Sequence, residues 1–362
     1  MTLTRRWSHQ TKSGGYDRLA LAVGAEEVRR FERLRIFWHR IARGCWRICK
    51  RSQRYSRAFK YEDWLAERSL LAKARRHPPE LVHVLYGDCG LEWLLPRRSL
   101  LPCPLLSTFH LPSTRGIWRF ELFRRHLVSG VDAAVVVSRC QLQDFKRCLG
   151  SDRVFYIPHG IDTQLFVPNG TAAQQSRVKL LTVGQHMRDF RALRGIIDEC
   201  NARKLPVEFD LVVDRMHWPT FLGCRSVRLQ TKIEEHELIR MYQEADALLI
   251  PVVDATANNA VLESLASGTP VISNKVGGIP DYVDDDCAWL FDKGEVSGVV
   301  NLIATICRDK EIAFSRRAAA RRKSLEFDWS RVADQMRELY RFVATGNSPA
   351  DARRASRELN RH

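Results

Sequence analysis

The chain has no apolar run approaching the ~20 residues that cross a bilayer, so no membrane span is expected within its 362 residues. No basic segment with an apolar core behind it opens the sequence, so no signal peptide is expected. The ten cysteines, at positions 45, 49, 89, 103, 140, 148, 200, 224, 287 and 307, form no C-x-x-C pair. That scatter predicts neither a zinc site nor a disulfide framework, and fits reduced thiols in a cytoplasmic protein. Chemical motifs are missing too. There is no G-x-x-x-x-G-K-[ST], hence no P-loop, and no G-x-S-x-G nucleophile elbow. No G-x-G-x-x-G follows the opening strand, which counts against a dehydrogenase. No D-x-D pair stands in a strand-end loop, so neither a bound metal nor another cofactor is expected.

What remains is globular in composition: 45% hydrophobic and 28% charged residues, in a length that suits two domains. The net charge of +16 is unevenly spread. Residues 1–60 hold 16 basic and 4 acidic side chains, and residues 166–362 hold 28 and 27. Such a localised field attracts polyanions. Within it, Phe31, Leu34, Trp38, Ile41, Cys45 and Ile48 recur at steps of three and four, with Arg29, Arg30, Arg33, Arg35, Arg40, Arg43 and Arg47 between them. This predicts a basic amphipathic helix over about 28–50. A core-facing stripe with a solvated basic face fits it, and so does a peripheral contact with an anionic membrane surface. Nucleic acid is not expected as a partner, because no binding motif or stacking platform accompanies the charge.

Strands and helices alternate along the rest. Strands are expected at 81–86, 105–109, 131–137 and 154–157, and, after a Pro-, Asn- and Gly-rich joint at 166–171, at 178–183, 207–213 and 247–250. Helices lie between them, and a last amphipathic helix covers 329–342. The pattern predicts an α/β protein of two Rossmann-like domains facing one another across a cleft. We place them at 1–165 and 172–326, followed by a helix at 327–343 that crosses back to the N-terminal domain and a tail at 344–362.

The most informative stretch is 254–280, DATANNAVLESLASGTPVISNKVGGIP. A strand runs into a polar turn and then a helix from about Asn259, stopped at Gly268, with Asn258 suited to cap it through its side chain. The N-terminus of that helix favours an anion. Glu263, the one acid on a small apolar helix, can accept two hydroxyl protons, as from a ribose. Gly277 and Gly278 permit close backbone approach. Further candidates stand at strand ends: Gly14, Gly15 and His110 in the first half, Gly184 and Arg188 in the second, and His159 at the joint. Together these suit a nucleoside diphosphate leaving group neutralised by backbone dipoles and Arg188.

At these residues the chain resembles the glycosyltransferases of the GT-B fold, and is similar to family 4, the retaining, metal-independent group. Pro158-His159-Gly160-Ile161-Asp162, Val183-Gly184, Asn258 to Glu263 and Gly268 to Pro280 carry the resemblance. It implies transfer of a sugar from a nucleotide-sugar, with retention by front-face attack, to a glycan or lipid-linked acceptor. It also implies that Gly14 and Gly15 lie against the donor phosphates, His110 near the donor sugar and Glu263 on the ribose. The backbone at Asn258 and Asn259 would meet the sugar or phosphate. Two positions depart from the family pattern: Ala255 stands where the first glutamate of E-x7-E is usual, and Gln185 where an arginine follows the loop glycine. A catalytically silent nucleotide-sugar-binding protein and a GT-B-like nucleotide-sugar epimerase are the alternatives. The expected location is cytoplasmic, peripheral at the inner face of the membrane.

Overall fold

The computed structural model describes residues 1–4, 15–29, 59–112, 130–150, 152–169 and 176–345. Gly14, the tail past 345 and all but the first two residues of the basic stretch 28–50 lie outside them. The chain divides into two compact units, one of Gly15–His159 with residues 1–4 and Ser330 onward, the other Gly160–Trp329.

The first unit holds β1 (Thr2–Thr4), α1 (Arg18–Val23), β2 (Glu27–Arg29), α2 (Tyr61–Arg76), β3 (Val82–Val84), β4 (Leu105–Phe109), β5 (Ala133–Val136), α3 (Arg139–Leu149) and β6 (Val154–Tyr156). The strands form one parallel sheet in the order β2-β1-β3-β4-β5-β6. Parallel strands are covered on both faces and so read as continuous apolar runs; all four residues of β5 are buried. α3 starts where Ser138 and Gln141 make a reciprocal capping box.

One expectation is corrected here. Val28 and Arg29 are the last two residues of the strand β2, not the start of the predicted basic helix. α1 ends at Gly24, whose φ of 68° reverses the chain. Val28 then pairs with Leu3 and is buried. A β-branched residue beside an existing strand obeys its neighbour, not the helical spacing of the residues after it.

The second unit contains β7 (Val178–Val183), α4 (Phe190–Ala202), β8 (Val207–Val212), β9 (Val227–Gln230), α5 (Glu235–Glu244), β10 (Ala247–Ile250), α6 (Asn259–Ala266), β11 (Val271–Asn274), α7 (Ile279–Tyr282), β12 (Ala288–Phe291), α8 (Val296–Arg308), α9 (Glu311–Phe314) and α10 (Arg317–Leu325). Its sheet is also parallel, ordered β12-β11-β10-β7-β8-β9. One apolar cluster joins the sheet to α5, α6 and α10. The other joins its opposite face to α4 and α8. The sequence reading had not found β9 or β12, short edge strands whose residues are mostly half-exposed.

The last helix, α11 (Trp329–Ala344), belongs to the first unit from Ser330 on. There the Tyr340 hydroxyl lies 2.7 Å from His83 Nδ1, the Phe342 ring packs on Phe155, and the Arg337 guanidinium donates to the Ala22 carbonyl. The expected return of this helix to the N-terminal domain is thus seen. No helix among the described residues is long and apolar enough to cross a membrane.

In each sheet the strand order turns back at one place, between β1 and β3 and between β7 and β10. Loops leaving neighbouring strands diverge at such a switch point, and the crevice between them is where open α/β sheets take ligands.

Candidate functional site

At the β7–β10 switch point, the loops leaving the two strands run side by side. The Asp189 N–H donates to the Pro251 carbonyl at 2.9 Å and the Val253 N–H to that of Met187 at 2.8 Å. Gly184 begins the first loop with a φ of 80°. A Cβ there would be strained and would sit 3.2 Å from Arg188 Nη2. The glycine therefore makes the turn and leaves room for the guanidinium.

Arg188 is held from several sides. Its Nε and Nη2 donate to the Val183 carbonyl at 3.1 and 2.9 Å, its Nη1 to the His186 carbonyl at 3.0 Å, and Nη2 also to Asn258 Oδ1 at 3.3 Å. These contacts orient the cation without neutralising it: Arg188 forms no ion pair among the described residues. Burial lowers its pKa to about 10, offset in part by Tyr242 and Glu263, so the group stays charged at neutral pH. A recessed, fixed cation without a bonded carboxylate is a built-in partner for an anion.

Asn258 occupies the N-cap position of α6, but its side chain makes no cap hydrogen bond. The expected cap is corrected: the amide oxygen is committed to Arg188 instead. The Ala260 N–H, in the first turn, has no hydrogen-bond partner among the described residues. The helix thus presents an unused donor at its positive end. Asn259 opens the same helix.

Glu263, one turn further on, is buried. Its Oε2 accepts a hydrogen bond of 2.8 Å from the Tyr242 hydroxyl of α5. Its Oε1 has no hydrogen-bond partner among the described residues. Burial raises the Glu263 pKa to about 7, against the stabilising bond from Tyr242. Tyr242 is fixed in turn, because its carbonyl accepts from Thr269 Oγ1 at 2.6 Å. One carboxylate oxygen is thus anchored and the other is left for a ligand.

The two departures from the family pattern also have places. Ala255 is buried in the apolar cluster around α6. Its carbonyl accepts from the Gly278 N–H at 2.8 Å and would lie 2.2 Å from a Cβ on Gly277, whose φ is 52°. Only a glycine lets that loop lie so close. Gln185 Nε2 donates to Asp214 Oδ2 at 2.8 Å.

In the first unit, His110 follows β4. Its backbone N–H donates to Asp88 Oδ2, and its Nε2 lies 2.7 Å from the Leu85 carbonyl. A carbonyl can only accept, so Nε2 carries the proton and Nδ1 the lone pair. Burial, reinforced by nearby His159, lowers the His110 pKa to about 3. The ring is therefore a neutral hydrogen-bonding group, not a cation for phosphate. It packs against Tyr16 at 4.5 Å and Tyr86 at 4.8 Å between centroids, with His159 at 6.2 Å. Gly15 is buried just before α1, its carbonyl accepting from the Arg18 N–H at 3.1 Å.

The structure thus gathers Gly184, Arg188, Asn258 and Glu263 in one unit, and Gly15, His110 and His159 in the other. Gly14 lies outside the described residues. Three supporting residues escaped the sequence reading. Asp88 fixes the His110 backbone and sits in the turn Gly87-Asp88-Cys89-Gly90 after β3, a strand-end acid that could have been noticed. Gln141 Nε2 donates to the Phe109 and Leu111 carbonyls on either side of His110, at 3.2 and 3.0 Å. Its signal was the capping box. Tyr242 had none, since nothing in sequence couples α5 to α6. Among the described residues, no group of three or more His, Cys, Asp or Glu is placed to hold a metal ion.

Comparison with known proteins agrees with this layout. The model described as Glycosyltransferase Family 4 matches residues 16–165, and that described as Glycosyl transferases group 1 matches residues 170–309. The D-inositol 3-phosphate glycosyltransferase of Corynebacterium glutamicum is 25% identical over 301 residues, 72% of this chain and 72% of that protein. The sulfoquinovosyl transferase of Arabidopsis thaliana is 22% identical over 295 residues, 74% of this chain but only 58% of the plant protein's length. Among solved structures, Anabaena HepE in complex with UDP-glucose aligns with a TM-score of 0.70 at 14% identity, over 93% of this chain and 98% of that one. A glycosyltransferase from Rickettsia africae aligns with a TM-score of 0.70 at 13% identity, over 96% and 98%. At such identities these structures speak for the fold. With both family models and both parallel sheets accounted for, the chain belongs to the family 4-like glycosyltransferases of the GT-B fold.

Proposed function

We propose that the chain transfers a sugar from a nucleoside diphosphate sugar to a glycan or lipid-linked acceptor, with retention and without a metal ion. The observation that carries this reading is the pairing at the β7–β10 switch point. There, among the described residues, Arg188 offers a fixed cation without a bonded counter-ion, and Glu263 a carboxylate oxygen without a hydrogen-bond partner. The first suits a diphosphate, the second a ribose hydroxyl. Gly184 keeps the guanidinium in place, and Asn258 and Asn259 bring the start of α6 to the same loops. In the first unit the family resemblance assigns the phosphates to Gly14 and Gly15 and the reacting sugar to His110, with His159 beside it. The solved Anabaena neighbour holds UDP-glucose, which supports a nucleotide-sugar donor.

The test is calorimetric titration with UDP and GDP, then transfer from their sugars to membrane and glycan extracts with and without EDTA. The anomeric configuration of the product would be read by NMR. We expect one diphosphate to bind, transfer to survive EDTA, and the donor's configuration to persist. Absence of nucleotide binding, dependence on a divalent ion, or inversion would each refute the corresponding part.

A second reading, a nucleotide-sugar-binding protein without turnover, draws on Ala255. It is buried among apolar residues at the position where family members usually carry a sugar-facing glutamate. Binding of a nucleotide-sugar with no product from any donor would favour it.

A further inference from the structure

Strand β3 (Val82–Val84) lies inside the first sheet, where apolar residues are the rule, yet its middle residue is His83. The side chain is fully buried, and both ring nitrogens have partners. Nδ1 lies 2.7 Å from the Tyr340 hydroxyl of α11, and Nε2 lies 2.7 Å from Thr108 Oγ1 on β4. Burial, reinforced by nearby His110, lowers the His83 pKa to about 3. The imidazole is therefore neutral, with one N–H and one lone pair to divide between two hydroxyls.

The Tyr340 hydroxyl decides the division. A phenol donates a hydrogen bond more readily than it accepts one, and His83 Nδ1 is its one partner among the described residues. A donor at Nδ1 needs the lone pair there, which puts the ring proton on Nε2. Nε2–H then donates to Thr108 Oγ1, and the Thr108 proton is left for a third group. That group is the Tyr16 hydroxyl. Burial raises its pKa, and a hydrogen bond with Thr108 opposes the rise, as a bond donated to the tyrosine oxygen does.

Tyr16 is fully buried and follows directly on Gly15. Its N–H donates to the Tyr86 hydroxyl at 3.0 Å, and its ring meets His110 edge-on with 4.5 Å between centroids. His159 lies 5.1 Å from the same ring. With its backbone tied to Tyr86 and its hydroxyl to Thr108, the Tyr16 ring is fixed against the His110 imidazole.

We propose that Tyr340 is a positioning residue for His110, acting through an ordered run of hydrogen bonds over His83 and Thr108 to Tyr16. Every donor in the run points the same way: Tyr340 to His83, His83 to Thr108, Thr108 to Tyr16. Without the Tyr340 hydroxyl, nothing keeps the imidazole proton on Nε2. In the Nδ1–H tautomer, Nε2 takes the Thr108 proton and Tyr16 loses its donor. That His110 serves the reacting sugar rests on the transferase reading above; the order of the bonds rests on this geometry alone.

The test uses the full chain with isotope-labelled histidine. Long-range proton–nitrogen NMR spectra read the His83 tautomer and the His110 ring resonances, assigned with His83→Gln and His110→Gln. In wild type the His83 proton should sit on Nε2. Tyr340→Phe should move part of the population to Nδ1–H and shift the His110 ring protons, which feel the Tyr16 ring current. Thr108→Val, which removes the hydroxyl and keeps the shape, should also shift His110, whereas Thr108→Ser should keep the wild-type resonances. Turnover should follow, with kcat about tenfold or more lower in Tyr340→Phe and Thr108→Val and the donor KM within about threefold. A purely structural pin between α11 and the sheet would lower Tm while leaving the His110 resonances and kcat in place, and that result overturns the proposal. So does a wild-type His83 protonated on Nδ1. If the resonances move as expected but wild type transfers no sugar, the positioning run stands and the transferase reading falls.

Discussion

Replacing Tyr242 with phenylalanine removes one hydroxyl and nothing else. That hydroxyl donates to Glu263 Oε2 at 2.8 Å inside the second unit. A hydrogen bond to a charged group contributes about 1.5–3 kcal/mol, and leaving the carboxylate oxygen unsatisfied costs a similar amount. Three effects follow. Stability should fall by about 1–2 kcal/mol, a Tm lower by roughly 2–6 °C for a unit of this size. The bond from Tyr242 favours the ionised form, so its loss should move the Glu263 pKa upward from about 7, by about one unit for each 1.4 kcal/mol lost. Nucleotide affinity should follow: if an ionised Glu263 accepts ribose hydroxyls, binding strengthens as pH rises through its pKa, and in Tyr242→Phe that rise moves to higher pH. Calorimetry with the nucleoside diphosphate that binds wild type, from pH 6 to 9, measures this directly. Identical affinity profiles for the two proteins, with an unchanged Tm, would show that Tyr242 does not hold a ligand-binding carboxylate.

Gly184→Ala should weaken diphosphate binding about tenfold or more and cost about 1–2 kcal/mol, because its φ of 80° and the Arg188 Nη2 atom 3.2 Å from the new Cβ both oppose a side chain; calorimetry and thermal melts check both effects. Glu67 has a folded pKa of about 8, raised from 4.5. The folded state therefore keeps a proton that the unfolded chain has lost, and stability declines as pH rises between these values. Glu67→Gln should lose part of that decline, so its Tm should exceed wild type at pH 8 and converge with it near pH 5, as scanning calorimetry can show. For the basic stretch, substituting glutamine at Arg29, Arg30, Arg33 and Arg40 should release the protein from anionic phosphatidylglycerol vesicles, each charge contributing about 1 kcal/mol near such a surface. Unchanged co-sedimentation would dismiss that contact.

Local pattern determined a good part of this protein. The apolar runs at 131–137, 178–183 and 247–250 could only be buried parallel strands, because their alternation with helices leaves no other way to cover both faces. Gly184, Glu263, Gly268 and Gly277 could be singled out because a turn, a lone acid on an apolar helix, a helix stop and a close approach each demand a particular residue type locally. Other features depend on partners far away in sequence, and only the tertiary structure decided them. Val28 became a strand because β1 offered it hydrogen bonds. Asn258 gave up its cap because Arg188, 70 residues earlier, needed an acceptor. The carboxylate of Glu263 has one oxygen held and one open because α5 brings Tyr242 against it. Glu67 has one oxygen held because the turn after β3 brings the Trp93 and Leu94 N–H groups against α2. Sequence spacing carries the period of an element and the demands of its turns, whereas which polar atoms find partners is a property of packed pairs.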